Sequence, residues 1–180
     1  MAEGGPSRKR AAPAGIPLEV EVVRHDDAWA AAGVTETALK RAAQAAFRTA
    51  RPRARGSHRI TLVLAGDEEM RRLNRTFRGK DASTNVLSFP SGDAIAEPGF
   101  LGDVVLAHGT VAWEARQRNI PLKDHAAHLV VHGTLHLLGF DHADDAQADE
   151  MEQLERKALA ALGIADPYAE TAAGAAEART

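Results

Sequence analysis

The chain has 180 residues, of which 44% are apolar and 26% charged, a composition that indicates one globular domain and excludes an intrinsically disordered chain. It contains no cysteine, which excludes a disulfide framework and any metal site built on thiolates. No apolar run is long enough to cross a membrane, and no apolar segment follows the basic start of the chain, so we expect a cytoplasmic protein without a membrane partner.

The net charge of −3 is too small to indicate nucleic-acid binding by itself, but the charges are unevenly distributed. Residues 40–80 contain twelve Lys and Arg against three Asp and Glu, whereas residues 141–180 contain ten acids against three bases. The basic segment is compatible with a phosphate-binding face and equally with solvated helix faces. The distribution of charge therefore leaves both interpretations open.

Strands and helices are predicted to alternate along the chain. Alternating or continuous apolar residues predict four strands, at residues 17–24, 58–65, 85–89 and 101–107, the third stopped by Pro90. Apolar residues at helical spacing predict five helices: residues 35–50, a helix capped by Asp67, residues 110–118, a helix opened by Pro121, and residues 143–162. In the helix capped by Asp67, the spacing predicts that Met70, Leu73 and Phe77 face inward.

This order of elements predicts an α+β fold in a single domain over residues 16–168. We expect a small mixed sheet of about four strands that is covered by helices, with the helix after Pro121 packed on the sheet. Residues 1–15 and 169–180 show no core pattern and are predicted to be disordered tails.

The helix after Pro121 carries histidines at the spacing of metal ligands. His132 and His136 are four residues apart and therefore lie on the same helix face. Gly139 is predicted to end the helix in a left-handed conformation, so that the returning chain brings His142 to the pair. Three imidazoles with a fourth position left for water are typical of catalytic zinc sites. We therefore predict that His132, His136 and His142 hold one Zn²⁺.

Two neighbouring positions limit the chemistry of this site. In zinc proteases with the same spacing, Glu follows the first histidine as general base, but here that position is Gly133, which disfavours peptide hydrolysis. His128 also lies one turn from His132, yet it is about 12 Å along the axis from His136, so one ion cannot bind both. His128 is interpreted as a support for a ligand or a substrate contact, with a purely structural role preferred.

Two blocks of this sequence resemble the signatures of one family. The segment from His132 to His142 reads HGTLHLLGFDH and is similar to the signature of the YbeY family of bacterial endoribonucleases. A second block resembles the other signature of that family and consists of LNRTFRGKD at residues 73–81 and TNVLSFP at residues 84–90. Shorter matches at residues 101–104 and 162–168 extend the resemblance over most of the chain.

The resemblance implies a metal-dependent, single-strand-specific endoribonuclease that acts in maturation of the 3′ end of small-subunit (16S) ribosomal RNA and in ribosome quality control. It implies that the three histidines hold zinc and that Arg78 is the functionally important arginine. The implied partners are single-stranded ribosomal RNA and the ribosome or small-subunit assembly proteins. Two positions depart from the family pattern: Ser83 replaces a proline, which is expected to loosen the following turn, and Phe140 replaces the commoner tyrosine.

The chemistry of Arg78 agrees with the role that the resemblance implies. Its planar guanidinium fits two phosphate oxygens and would stabilise charge on a pentacovalent transition state. Lys80 and Ser88 are predicted as further contacts to RNA or supports of the site. Asp141 is predicted to support a ligand histidine or to cap the turn, and the second role is preferred. The sequence does not distinguish water from the RNA 2′-hydroxyl as the attacking group.

Two other functions stay open at this point. A zinc metallopeptidase would need a base from elsewhere, such as Asp141 or Glu114. A non-catalytic ribosome-assembly factor would use the metal for structure alone and the basic segment for RNA binding. Under that second alternative, replacement of His136 by alanine should abolish folding.

Overall fold

The computed structural model describes residues 18–50, 56–92 and 99–169, which form the single α+β domain that the sequence predicts. The predicted tail over residues 1–15, and the tail over residues 169–180 apart from its first residue, lie outside the described residues. Among the described helices, none combines the length and the apolarity needed to span a bilayer.

Four strands form one mixed sheet in the described part of the chain. They are β1 (Leu18–Arg24), β2 (His58–Ala65), β3 (Val86–Pro90) and β4 (Gly99–Ala107), in the order β1-β2-β4-β3. The pairs β1–β2 and β2–β4 are parallel, whereas β3 pairs antiparallel with β4 and forms an edge. Pro90 is the last residue of β3. Proline is tolerated there because an edge strand can contain a residue without a backbone N–H.

Six helices are described: α1 (Ala28–Ala31), α2 (Glu36–Ala50), α3 (Asp67–Arg78), α4 (His108–Gln117), α5 (Leu122–Leu137) and α6 (Asp145–Ala160). The sequence pattern does not predict α1, because four residues are too few to show a helical period. Its Trp29 is fully buried and donates its indole N–H to the carbonyl of Ala65 at 3.0 Å. This contact fixes α1 against the end of β2.

Two details predicted for α3 are wrong. Gly66 occupies the N-cap position, and Asp67 is already helical. The Asp67 carboxylate instead accepts hydrogen bonds from the backbone N–H and the hydroxyl of Thr110, both at 2.9 Å, and so ties α3 to α4. The hydroxyl of Ser83 joins this cluster at 2.9 Å from Thr110, which anchors the turn where proline was expected. Phe77 was predicted to face inward but is 65% exposed.

The core lies on both faces of the sheet. The larger cluster fills the space between the sheet and α2, α5 and α6, and a smaller one lies under α3 on the opposite face. Helix α5 is buried along most of its length and contacts α2, α4, α6, β3 and β4. The prediction that the histidine-bearing helix packs on the sheet is therefore confirmed, and this packing places its last turns beside edge strand β3.

Candidate metal centre

A glycine-terminated turn at the end of α5 brings His142 back to the helix. Gly139 has a φ of +90°, in the left-handed region. The N–H of Phe140 donates to the carbonyl of Leu135 at 3.1 Å, and that of Gly139 to His136 at 3.0 Å. These two hydrogen bonds form a Schellman motif, so the predicted role of Gly139 as the helix terminator is confirmed.

The three predicted ligands converge on one point. His132, His136 and His142 each offer a ring nitrogen, and these atoms all lie within 4.8 Å of one another. The Nε2 atoms of His132 and His136 are 3.0 Å apart. Two nitrogens bound to one tetrahedral zinc at 2.0–2.1 Å are separated by about 3.3 Å, so the observed spacing fits one divalent ion. Burial and the neighbouring histidines lower the pKa of His136, which favours the neutral ring that a metal binds.

A buried carboxylate that the sequence analysis missed holds His132 in place. Glu155 on α6 is 1% exposed, and its Oε1 lies 2.6 Å from Nδ1 of His132. Its Oε2 lies 2.8 Å from Nε2 of His128 and also accepts a hydrogen bond from the hydroxyl of Tyr168. Burial alone would raise the pKa of Glu155, but the hydrogen bonds from His128 and His132 outweigh it and bring the pKa to about 2. Glu155 is therefore a carboxylate at neutral pH.

These contacts fix the protonation pattern of two rings. An ionised carboxylate only accepts hydrogen bonds, so Nδ1 of His132 carries a proton, and in the neutral ring it is Nε2 that keeps the lone pair. That lone pair faces Nε2 of His136, which is the orientation that metal ligation requires. His128 donates its Nε2–H to Glu155 and is largely buried, so it contributes to the same support.

The three converging histidines face a cavity of about 520 Å³ that opens beside edge strand β3. Four predicted site residues other than the ligands can now be located. Arg78, Ser88 and Asp141 line the cavity, whereas Lys80 is exposed and outside its lining. The Ser88 hydroxyl donates to the carbonyl of Gly133 at 3.2 Å, and Asp141 Oδ1 accepts from the backbone N–H of His142 at 2.8 Å. The Asp141 contact holds the turn that presents the third histidine.

Arg78 differs from the other arginines of α3. Arg71 and Arg75 lie within salt-bridge distance of Asp81, and Arg72 lies 3.7 Å from Glu68. Within the described residues, Arg78 forms no ion pair, and it lines the same cavity as the histidines. A guanidinium that is not neutralised by a carboxylate is available to an anionic ligand.

The position that would carry the protease base has no room for a side chain unless its neighbours shift. A Cβ on Gly133 would lie 2.6 Å from Cγ1 of Val104 and 3.1 Å from Oγ of Ser88. The missing side chain therefore allows α5 to approach the sheet closely, and a residue here would point at β4. The other proposed base, Glu114, binds His125 at 2.7 Å and the amide of Asn85 at 3.0 Å, and it is outside the cavity lining.

Replacing Gly133 with alanine should destabilise the protein, because the added methyl group overpacks a buried contact at a cost of about 1–3 kcal/mol. The better helix propensity of alanine offsets about 1 kcal/mol of that cost. Unfolding in urea measures the loss. In a double-mutant cycle, Val104→Ala should reduce the cost of Gly133→Ala, since it removes the atom that the methyl group meets. Alanine favours helices over glycine by about 1 kcal/mol, so a Gly133→Ala variant that is more stable than the parent by that full amount would contradict the close approach.

Comparison with known proteins places this geometry in a family. Residues 25–163 match the family model described as Endoribonuclease YbeY. A protein of that name from Maricaulis maris is 45% identical over 149 residues, covering 83% of this chain and 91% of the relative. The one from Parvibaculum lavamentivorans is 45% identical over 179 residues, covering 92% and 95%.

A solved structure agrees at the level of the fold. The solution structure of a Thermotoga maritima protein has a TM-score of 0.53, covers 82% of this chain and 97% of its own, and is 20% identical in sequence. At that identity the likeness concerns the fold alone. The match of the family model over most of the domain and the relatives at 45% identity carry the assignment. The chain belongs to the Endoribonuclease YbeY family.

Proposed function

We propose that this protein is a zinc-dependent endoribonuclease that cleaves single-stranded RNA in the cavity shared by Arg78 and the three histidines. The observation that carries the proposal is the meeting of three converging imidazoles and a guanidinium without a carboxylate partner, within the described residues, in one cavity. The relatives named as endoribonucleases support the reaction class.

Different side chains would hold the metal and bind the phosphate. Arg78 donates two N–H groups to the scissile phosphate and stabilises the negative charge that grows on its oxygens in the transition state. His132, His136 and His142 would hold the metal ion, which supplies Lewis-acid activation of the phosphate when bound. Glu155 keeps His132 in the tautomer that ligation needs.

Two attacking groups fit this arrangement, water and the RNA 2′-hydroxyl. Asp141 is the one carboxylate in the described lining of the cavity, and its Oδ1 is engaged by the backbone of His142. The ends of the products distinguish the two reactions, because attack by the 2′-hydroxyl leaves a 2′,3′-cyclic phosphate and attack by water does not. A substrate with one 2′-deoxy nucleotide at the cleavage position would be cut only if water is the attacking group.

The finer parts of the proposal rest on the family resemblance. They are maturation of the 3′ end of 16S ribosomal RNA, ribosome quality control, and action in the cytoplasm with the ribosome or small-subunit assembly proteins. An all-imidazole ligand set supports zinc as the metal. A single strand suits an open cavity, because its backbone bends and its bases are not stacked in a duplex.

Replacing Arg78 with alanine should lower the rate of RNA cleavage by about 100- to 1,000-fold, because the variant lacks the donor that stabilises charge in the transition state. Zinc content should be unchanged, since Arg78 is not a metal ligand. Single-turnover cleavage of a labelled single-stranded RNA measures the rate, and atomic absorption measures the zinc.

The matched control is Arg72→Ala on the same helix. Arg72 is exposed, lies beside Glu68 and is outside the lining of the cavity. The Arg72→Ala substitution removes the same charge from α3 and should leave the cleavage rate close to that of the parent. Equal rate losses in the two variants would show that Arg78 acts only through general charge, and the proposed role would be lost.

A further inference from the structure

An exposed aromatic pair lies next to the cavity. Phe77, in the last turn of α3, is the most exposed large apolar side chain in the described part of the chain, at 65%. Its ring packs edge-to-face against Phe89 of β3, with centroids 5.0 Å apart and an angle of 65° between the ring planes. Phe89 is partly buried against the small core cluster under α3, so one ring is anchored and the other is free on its outer face.

The position of Phe77 follows from the end of the sheet. Met70, two turns earlier, is fully buried over the sheet, and Leu73 is partly buried. By the last turn α3 has reached edge strand β3, and in the described sheet no further strand lies beyond it. An apolar residue at this place leaves surface in water that folding does not bury, which is unfavourable unless something else covers it.

The aromatic pair is continuous in the chain with the cavity wall. Arg78, the neighbour of Phe77, lines the cavity, and so do Ser88 and Pro90 on either side of Phe89. Because side chains alternate along a strand, Phe89 faces α3 while Ser88 faces α5. A strand of RNA that leaves the cavity past Arg78 and crosses the edge of the sheet meets the ring of Phe77 next.

We propose that Phe77, supported by Phe89, is a stacking site for a nucleobase of the single-stranded RNA that is bound in the cavity. The inference rests on the proposed function and deepens it by assigning a second contact to the same substrate. The kind of occupant follows from the neighbouring charges, since Arg78 and Lys80 follow Phe77 within three residues of the chain and neither forms an ion pair within the described residues. Unpaired cations beside a free aromatic face suit a polyanion that carries flat bases.

The expected effect is a loss of RNA affinity without a change in electrostatics. Phe77→Ala should weaken binding of a single-stranded RNA by about 5- to 100-fold, the range measured for loss of one base stack. The slope of log K against log salt should stay unchanged, because no charge is removed. Lys80→Ala should instead reduce that slope by about 0.7 if Lys80 contacts one phosphate. Fluorescence anisotropy of the zinc-loaded variants with a labelled oligonucleotide gives both quantities when it is read at early times, before a gel shows cleavage of the oligonucleotide.

Two variants separate stacking from other causes. Phe77→Leu keeps an apolar contact for Phe89 but has no aromatic face, so it should lose affinity as Phe77→Ala does. Trp113→Ala is the matched control, because Trp113 is 57% exposed and neither it nor its chain neighbours line the cavity. This control should bind RNA as the parent does.

The decisive comparison uses an RNA that lacks one base. An abasic nucleotide at the stacking position should weaken binding to the parent and add nothing to the loss in Phe77→Ala, because both changes remove the same contact. Unchanged affinity in both Phe77 variants would overturn the proposal, and so would a loss of affinity in Phe77→Ala that is equally large on the intact and on the abasic RNA. Either result would leave the ring for another partner, such as a protein. RNA that binds through Phe77 but is never cut would contradict the endoribonuclease proposal alone.

Discussion

Replacing His136 with alanine should leave a folded protein that neither retains zinc nor cleaves RNA. The variant loses one of three ligands, so its loss of zinc affinity should exceed the roughly 10- to 100-fold cost of removing a supporting residue. The fold should persist, because the part-buried ring contacts the other two histidines of the candidate site, whereas the apolar residues of α5 make the core. Zinc analysis, cleavage of single-stranded RNA and circular dichroism test the three parts.

The matched control for this variant is His25→Ala. His25 is an exposed histidine that pairs with Glu69 at the surface, and it should be replaceable without loss of zinc or activity. Two results would contradict the assignment. Cleavage of RNA by His136→Ala at the full rate would show that the metal takes no part in the reaction. Failure of the variant to fold would favour a structural metal and with it the non-catalytic assembly factor.

The second large effect is expected from Glu155→Gln. A glutamine has one acceptor oxygen and one N–H₂ group, so it cannot accept from His128, His132 and Tyr168 together. At least one buried donor loses its partner, which should cost about 1–3 kcal/mol of stability in the metal-free protein. His132 also loses its fixed orientation, so zinc affinity should fall by about 10- to 100-fold. Competition with a chromogenic chelator and urea unfolding measure the two quantities.

Glu152→Gln provides the comparison for this substitution. Glu152 lies one turn earlier on α6, is partly exposed and pairs with Arg156 at 3.2 Å. The same chemical change at this position should leave zinc affinity unaltered and change stability little, as is usual for exposed ion pairs. Equal zinc affinities in the two variants would mean that the Glu155 carboxylate does not orient His132.

Local patterns predicted most of the fold. The four strands and the five longer helices were found within a few residues, because each carries enough residues to show its period. Where α3 departs from the prediction, the cause lies elsewhere in the chain. The carboxylate of Asp67 is taken by Thr110, and Phe77 reaches past the last strand of the described sheet, where Phe89 contacts one side of its ring and the rest stays exposed. Neither cause is visible in residues 67–77, the segment that suggested the cap and the inner face.

The residues of the candidate site were likewise predictable only in part. Three histidines were predictable because their convergence depends on one helical turn and one glycine, all within eleven residues. Glu155 was not, because it reaches His132 from another helix, 23 positions away. A signal was nevertheless present: Glu155 lies four residues after Met151 and four before Leu159, so it interrupts the buried face of α6 with a charge. A carboxylate in that position requires buried donors, and the histidines of α5 supply them.

The position of β3 has a consequence for the solubility of the protein. A strand at the end of a sheet offers unpaired backbone groups on which another chain can add, and such edges promote aggregation. Here the strand has only five residues and ends in a proline, two features that discourage pairing with a second copy. The same strand forms a wall of the cavity, so a bound substrate would also shield it. Substrate-free protein should therefore be the form most prone to self-association.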